Sequence, residues 1–343
     1  MNKKFSVHFL WWVGALCLYR ILRGGMDFGQ FGVEIPLWYQ IVVILGVGLW
    51  LATMTLGVTY LLERERFARM SLIKILAIKA LANFAGLLIV GNFIQITFLL
   101  VTGKLGEVEH KILLEIPPFW IFVLYYFIVS ALFDFIEMMM MKMGQKTFFK
   151  LLLGMYRNPR EEQHIFMFMD LKDSTSLAEK LGHIRYSQLI QQCFLDLNLT
   201  VAEYGGEIYQ YVGDEAVIFW DQRDAGSFDR CIDCFQAFQH RLKKSEAEYM
   251  ELFGVAPSFK AGVHAGTIIA TEVGVIKREV AFHGDTINTA ARIQGACNAY
   301  AQSLLISETI FKQLEGAMAG SMKFVGEEVL KGKQHPVGMY AME

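Results

Sequence analysis

Two architectures in tandem are predicted by this 343-residue sequence: an α-helical membrane region of four spans, then an α+β domain with a ferredoxin-like core. Three observations carry that reading. The chain is 54% hydrophobic, with 27 Phe and 17 Met, and the excess is gathered into long uncharged runs in its first part. Near residue 161 the pattern changes to short β-rich runs alternating with amphipathic helical segments. Within that second part, Ile208–Trp220 (IYQYVGDEAVIFW) reads as strand, tight turn, strand, with Gly213-Asp214 at the turn.

The uncharged runs are Leu37–Leu62 with 26 residues, Ala80–Val101 with 22 and Ile116–Phe133 with 18. Each meets or nearly meets the roughly 20 residues that a helix needs to cross a bilayer. Phe5–Tyr19 is shorter and is followed by Arg20 and Arg23; it is expected to be a retained first anchor rather than a cleaved leader. Basic residues mark the inner flanks: Lys3 and Lys4, then Arg64, Arg66, Arg69, Lys74 and Lys79, then Lys142, Lys146, Lys150 and Arg157. Lys104 and Lys111 between the third and fourth spans are offset by Glu107, Glu109 and Glu115. The expectation is a multi-pass protein of the inner or plasma membrane with both termini cytoplasmic. Asp134 and Glu137 at the end of the fourth span read either as a sensor or relay feature, or as a sign that the hydrocarbon region has ended by Phe133.

Residues 142–160 are expected to link the two parts. Phe148, Phe149, Leu151, Leu152 and Leu153, mixed with lysines, suggest a helix along or leaving the inner membrane face, ended by Asn158-Pro159. The boundaries are thus 1–141 for the membrane region, 142–160 for the linker and 161–343 for the second domain. Net charge is −2 and that domain has no basic stripe, so nucleic-acid binding finds no support.

Along the second domain, His164–Leu171 is a short strand carrying Asp170 near its end. Ser174–Leu181 and Tyr186–Ala202 are helical and separated by Gly182. Phe228–Tyr249 reads as one long amphipathic helix, in which Cys231 and Cys234 share an apolar face and serve packing rather than zinc. Pro257–Gly266 and Thr267–Val273 read as adjacent strands, Glu279–His283 as a short strand and Asp285–Ala296 as a helix. Ser303–Ile306, Met322–Leu330 and Val337–Tyr340 favour strand. If the strands bearing Asp170 and Asp214 are neighbours, the two carboxylates meet at one sheet end, which suits metal binding; they equally suit the capping of two turns. Asn288 and Arg292 are four apart on one helix face, where they suit a ribose and a phosphate, or plain surface hydrogen bonding.

Four stretches resemble the class III nucleotide cyclases, the family of adenylate and guanylate cyclases: FMDLKDST at 168–175, GGEIYQYVGDEAVIFW at 205–220, FHGDTINTAAR at 282–292 and LKGKQHPVGMY at 330–340. Their order and the 44-residue separation of Asp170 from Asp214 also match the pattern, and membrane-anchored bacterial members are common. The resemblance implies two divalent ions, Mg²⁺ or Mn²⁺, on Asp170, Asp214 and the Leu171 carbonyl. It implies triphosphate binding by the backbone of Lys172, Asp173, Ser174 and Thr175, with Lys331 reaching the terminal phosphates. Asn288 would orient the ribose and Arg292 would stabilise the reacting phosphate. The site is shared between two chains, so a homodimer with two composite sites is implied. A nucleoside triphosphate would be converted to a 3′,5′-cyclic nucleotide and pyrophosphate, ATP being favoured.

Three departures from the family pattern bear on the substrate. Gln210 and Ala281 stand at the base-reading positions, where adenylate cyclases usually carry a Lys paired with Asp or Thr. Thr267 stands where some members have a phosphate-contacting Arg. A cyclase acting on UTP or CTP, and a non-catalytic membrane module with a vestigial cyclase fold, are the alternatives.

Overall fold

A computed structural model describes residues 2–22, 37–62, 70–102, 117–329 and 336–342. The chain divides into two compact units, Met1–Met140 and Met141–Glu343.

The first unit is helical: α1 (Asn2–Leu22), α2 (Leu37–Leu62), α3 (Leu72–Thr102) and α4 (Pro117–Met143). Among the described residues, three stretches are long and apolar enough to cross a membrane: Lys4–Leu22, Leu37–Leu62 and Trp120–Met143. The predicted run Ala80–Val101 falls in α3, where the apolar stretch found among described residues is the shorter Ala77–Ile89. Four crossings are therefore not all accounted for. The predicted basic flank Arg64–Arg69 and the turn from Lys104 to Glu115 lie outside the described residues. Trp12, Leu51, Leu87, Val123 and Tyr126 form the interior, while Leu10, Trp38 and Leu124 are more than half exposed. That inside-out pattern suits apolar surroundings.

A polar cluster lies among the described residues of this unit. Lys79 Nζ stands 2.9 Å from Asp134 Oδ1 and 3.1 Å from Glu137 Oε2, and His8 Nε2 is 3.6 Å from Glu137 Oε1. His8 Nδ1 lies 3.1 Å from Thr55 Oγ1, to which Trp12 also donates. Asp134 and Glu137 are thus paired within α4, which runs on to Met143.

The second unit holds the short helix α5 (Gln145–Leu152) and an eight-stranded sheet. Its strands are β1 (Arg160–Leu171), β2 (Glu207–Val212), β3 (Glu215–Asp221), β4 (Phe259–Val273), β5 (Glu279–His283), β6 (Leu304–Ser307), β7 (Met322–Glu328) and β8 (Val337–Met342). The order is β2-β3-β1-β4-β6-β8-β7, with β5 paired to β4. Among the described strands only β4 and β6 pair in parallel. The first four strands with their helices make the split β-α-β arrangement of a ferredoxin-like core. β1 alternates between faces: Ile165, Met167, Met169 and Leu171 pack under α6 (Ser174–Glu203), α7 (Ser227–Lys244) and α8 (Glu246–Phe253). Phe166 and Phe168 point to the other face, which carries Ala290 of α9 (Asp285–Ala296). Both faces are covered, so the strand reads as a continuous apolar run.

The structure corrects several boundaries. Pro257–Gly266 and Thr267–Val273 are one strand, β4, because the glycines there serve close packing and not a turn. A Cβ on Gly262 would lie 2.1 Å from the Gln294 backbone nitrogen, so only glycine lets α9 approach this near. Ser174–Leu181 and Tyr186–Ala202 are, as read from the sequence, two helical segments of α6 separated at Gly182, whose φ 72° and ψ 161° are not helical. The segment Phe228–Tyr249 is broken at Ser245 into α7 and α8. In α5, Leu151 packs with Tyr156 on the sheet, and Lys150 pairs with Glu162 at 2.8 Å, while Phe149, Leu152 and Leu153 are exposed. Cys231 and Cys234 are fully buried and all five cysteines are free. Burial pushes the Cys234 thiol up to about 12, as expected of a packing residue. Two short helices, α10 (Glu308–Phe311) and α11 (Gly316–Gly320), lead into the last strands.

Candidate active site

Strand register brings the acids together. β1 lies between β3 and β4, and Asp170 is opposite Glu215 on one side and Lys260 on the other. The hairpin closes with Val212 opposite Glu215, leaving Gly213 and Asp214 as its two-residue turn. Gly213 takes φ 65°, a conformation that the turn requires and that glycine supplies without strain. Asp170 and Asp214 therefore converge at one end of the sheet, as their spacing suggested.

The electrostatics are unbalanced toward negative charge. Asp170 Oδ2 lies 3.3 Å from Lys260 Nζ and accepts a 3.2 Å hydrogen bond from Gln294 Nε2. Burial and then the Asp214 charge push the Asp170 carboxyl above its ordinary value, against the pull of Lys260 and Gln294. Glu215 is pushed up by burial, Asp170 and Asp214. Burial and the charge of Asp214 also raise the Tyr186 phenol. Asp214 Oδ2 is buried with no hydrogen-bond partner among the described residues. A buried carboxylate oxygen left unsatisfied is costly, and a cation is what such an oxygen fits.

Among the described residues no three His, Cys, Asp or Glu side chains enclose a metal position. Two carboxylates suit Mg²⁺ or Mn²⁺ nonetheless, because small hard cations take the rest of their oxygens from backbone, water and substrate phosphate.

Beyond Leu171, which is paired with Phe259, the chain turns through Asp173 in a left-handed conformation (φ 56°) into α6. The Leu177 N–H closes the first helical turn on Asp173 O. The N–H groups of Ser174 and Thr175 precede that bond, at the end of a helix where anions are favoured. Lys172 departs from expectation. Its N–H donates to Ser258 O at 2.8 Å and its Nζ to Ser303 Oγ at 2.9 Å, so its amide is engaged in tying β1 to the start of β4.

Asn288 and Arg292 share the outer face of α9. Asn288 is exposed, with its Nδ2 donating to Gly284 O at 3.3 Å, and Arg292 has no ion pair among the described residues. The inner face of the helix carries Thr286, Thr289, Ala290 and Ile293, all buried. Gln294, which reaches Asp170, projects on the side of the helix away from Arg292. Within one chain, then, the carboxylates and the Asn–Arg pair face different directions.

Gln210 is exposed on β2 and Ala281 half-buried on β5. Their neighbours join the two strands: the Tyr209 ring stacks on Phe282 with centroids 4.6 Å apart, and its hydroxyl accepts the Phe282 N–H at 3.3 Å. Tyr209 sits where the β2–β3 register shifts, between Ile208 and Gln210. Thr267 is exposed and its carbonyl accepts from Thr286 Oγ1 at 2.7 Å. Lys331 lies outside the described residues. Lys260, Gln294, Glu215 and Tyr209 were not singled out from the sequence. Each matters through strand register or helix facing, and the only available signal was the pairing order of β1, β3 and β4.

Residues 156–343 match the family described as "Adenylate and Guanylate cyclase catalytic domain". Adenylate cyclase 2 of Rhizobium meliloti (strain 1021) is 34% identical over 200 residues, covering 58% of this chain and 55% of the relative. Adenylate cyclase of Anabaena cylindrica is 26% identical over 183 residues, covering 52% of this chain and 36% of the relative. The chain thus spans about half, or less, of the length of these curated relatives. A bacterial light-regulated adenylyl cyclase of known structure shares the fold, with TM-score 0.54 and 17% identity over 64% of each chain.

Proposed function

We propose, since this chain belongs to the family of adenylate and guanylate cyclase catalytic domains, that it converts a nucleoside triphosphate, ATP by preference, into a 3′,5′-cyclic nucleotide and pyrophosphate. The observation that carries the reading is the acid end of the sheet: Asp170, Asp214 and Glu215 converge, and Asp214 Oδ2 has no hydrogen-bond partner among the described residues. Asp170, Asp214 and the Leu171 carbonyl would hold two divalent ions, Mg²⁺ or Mn²⁺. Bound there, such ions supply positive charge that activates the ribose 3′-hydroxyl and stabilises the leaving pyrophosphate.

The chain's own residues position the substrate. The N–H groups of Asp173, Ser174 and Thr175 meet phosphate oxygens at the start of α6. Lys172 is left out of that cradle by its bond to Ser258. Lys331 reaches the terminal phosphates. Asn288 holds the ribose and Arg292 offsets charge growing on the α-phosphorus, where the 3′-oxygen attacks in line. No protein nucleophile takes part.

The opposed facing of Asp170 and Arg292 supports a homodimer in which each site takes its acids from one chain and its Asn–Arg pair from the other. Residues 1–141 anchor the enzyme by four crossings, α3 included, with both termini cytoplasmic. Residues 142–160 link them to the catalytic domain of 161–343.

Gln210 and Ala281 read the base in this arrangement. A neutral amide and a methyl group discriminate weakly, which keeps UTP or CTP as the second reading. The adenylate cyclase relatives favour ATP. The test is purified full-length protein with Mn²⁺ and each of the four nucleoside triphosphates, followed for cyclic product and pyrophosphate. ATP turnover is expected to lead. A strong pyrimidine preference would overturn the choice of base alone; no turnover of any triphosphate would overturn the enzyme.

A further inference from the structure

We propose that Lys260 is a positioning residue that competes with the metal: its ammonium holds Asp170 while no divalent ion is bound and is displaced when one enters. The inference deepens the preceding one, since it takes Asp170 and Asp214 as metal ligands. It starts from register, which sets Lys260 directly opposite Asp170 on β4. Nζ lies 3.3 Å from Asp170 Oδ2, and the two side chains are only 13% and 24% exposed, so solvent screens the pair weakly.

Three carboxylates feel one another here, and the lysine reaches one oxygen of one of them. Among the described residues Asp214 Oδ2 has no hydrogen-bond partner. A single charge is too little for the site, yet it stands beside a ligand that an ion must use. An ammonium and a divalent cation repel strongly at such a distance, so the two cannot share Asp170 in this geometry. The lysine has somewhere to go. Its Nζ is already 3.5 Å from Asn298 Oδ1 on the chain beyond α9, and its four-carbon stem turns easily.

Asp170 is then available to metal only for the fraction of time the lysine leaves it, and apparent affinity falls by that fraction. A free ion binds poorly, whereas one arriving with a triphosphate brings negative charge that offsets the lysine. Metal loading is thereby tied to substrate.

The test is Mn²⁺ binding to the full-length protein in lipid nanodiscs without nucleotide, read from the electron paramagnetic resonance signal of free Mn²⁺. Lys260→Met should bind Mn²⁺ about tenfold more tightly than wild type, and Lys260→Arg, which keeps the cation, should stay near wild type. Lys260→Gln serves if the methionine variant does not fold. A merely structural lysine would give the opposite sign, because its loss would loosen the site. Equal or weaker binding in the neutral variants, with Mn²⁺ still lost on Asp214→Asn, overturns the proposal and leaves the metal site standing. Mn²⁺ binding indifferent to Asp214→Asn overturns the metal assignment itself, and this proposal with it.

Discussion

Each unit of this protein contains a cluster of acids around one lysine, and the two clusters are built to different ends. In the helical unit, Lys79 lies 2.9 Å from Asp134 and 3.1 Å from Glu137. His8 approaches the other Glu137 oxygen, and Thr55 joins His8 to Trp12. Among the described residues, none of the buried side-chain atoms of His8, Thr55, Lys79, Asp134 or Glu137 lacks a partner. At the end of the sheet, Lys260 serves one oxygen of Asp170, while burial and the charges of Asp170 and Asp214 push Glu215 toward protonation, and Asp214 Oδ2 has no hydrogen-bond partner among the described residues. A closed cluster fixes how helices meet. An open one holds free ligand positions, which is costly unless something binds there.

The largest effect expected from this contrast is on turnover. Asp170→Asn and Asp214→Asn should each reduce kcat by about three orders of magnitude or more, as does loss of a group that stabilises developing charge. Far-UV circular dichroism should be unchanged, since both residues stand at a strand end or turn. Arg292→Ala should also be inactive alone. Mixing Asp170→Asn chains with Arg292→Ala chains should restore roughly a quarter of wild-type activity, because about half the dimers are mixed and each has one intact site. No recovery despite demonstrated chain exchange would mean that each chain builds its own site.

The closed cluster should respond in stability instead. Lys79→Met leaves Asp134 and Glu137 facing each other without a cation, a loss of roughly 3–5 kcal/mol for a buried pair. Thermal unfolding in detergent should fall accordingly, and Asp134→Asn with Glu137→Gln added to Lys79→Met should restore most of it. A Lys79→Met protein as stable as wild type would erase the distinction between the clusters.

Much of this was legible in the sequence because it is local. The β5 and α9 boundaries, Glu279–His283 and Asp285–Ala296, came out as read, since apolar period and a helix-starting Asp mark them. The convergence of Asp170 and Asp214 followed from two short strands each delivering an acid to a turn. What stayed hidden depends on pairing across the sheet. Lys260 precedes AGVHAGT by its position in β4 and has no local mark as a partner of Asp170. Gln294 looks like any polar residue of an amphipathic helix until Gly262 lets α9 sink against β4. Gly266 read as a break between strands for the same reason: a missing side chain means a turn or a close approach, and only the neighbour decides. In the helical unit, Lys79 and Asp134 are 55 residues apart, too far for either to announce the other.

The smallest effect is also the one whose sign separates the clusters most directly. Burial and Asp214 hold the Asp170 carboxyl above its ordinary value of 3.8. A group raised in the folded state contributes stability that is fully present below that ordinary value and is lost as pH rises through the folded one. At neutral pH the ionised Asp170 is therefore a net cost to the metal-free protein. Asp170→Asn removes the charge, while its amide oxygen can still accept from Gln294 and Lys260. In EDTA at neutral pH the variant should unfold at a slightly higher temperature than wild type, by less than about 1 kcal/mol, within the range of ordinary surface changes. Adding Mn²⁺ should reverse the order, because wild type gains stability from the bound ion and the variant gains little. Calorimetry on the full-length protein with and without the metal reads both. If Asp170→Asn lowers the unfolding temperature in EDTA, as Lys79→Met is expected to do, then the acid end of the sheet is a second closed cluster, and the case for an open metal site there loses its electrostatic ground.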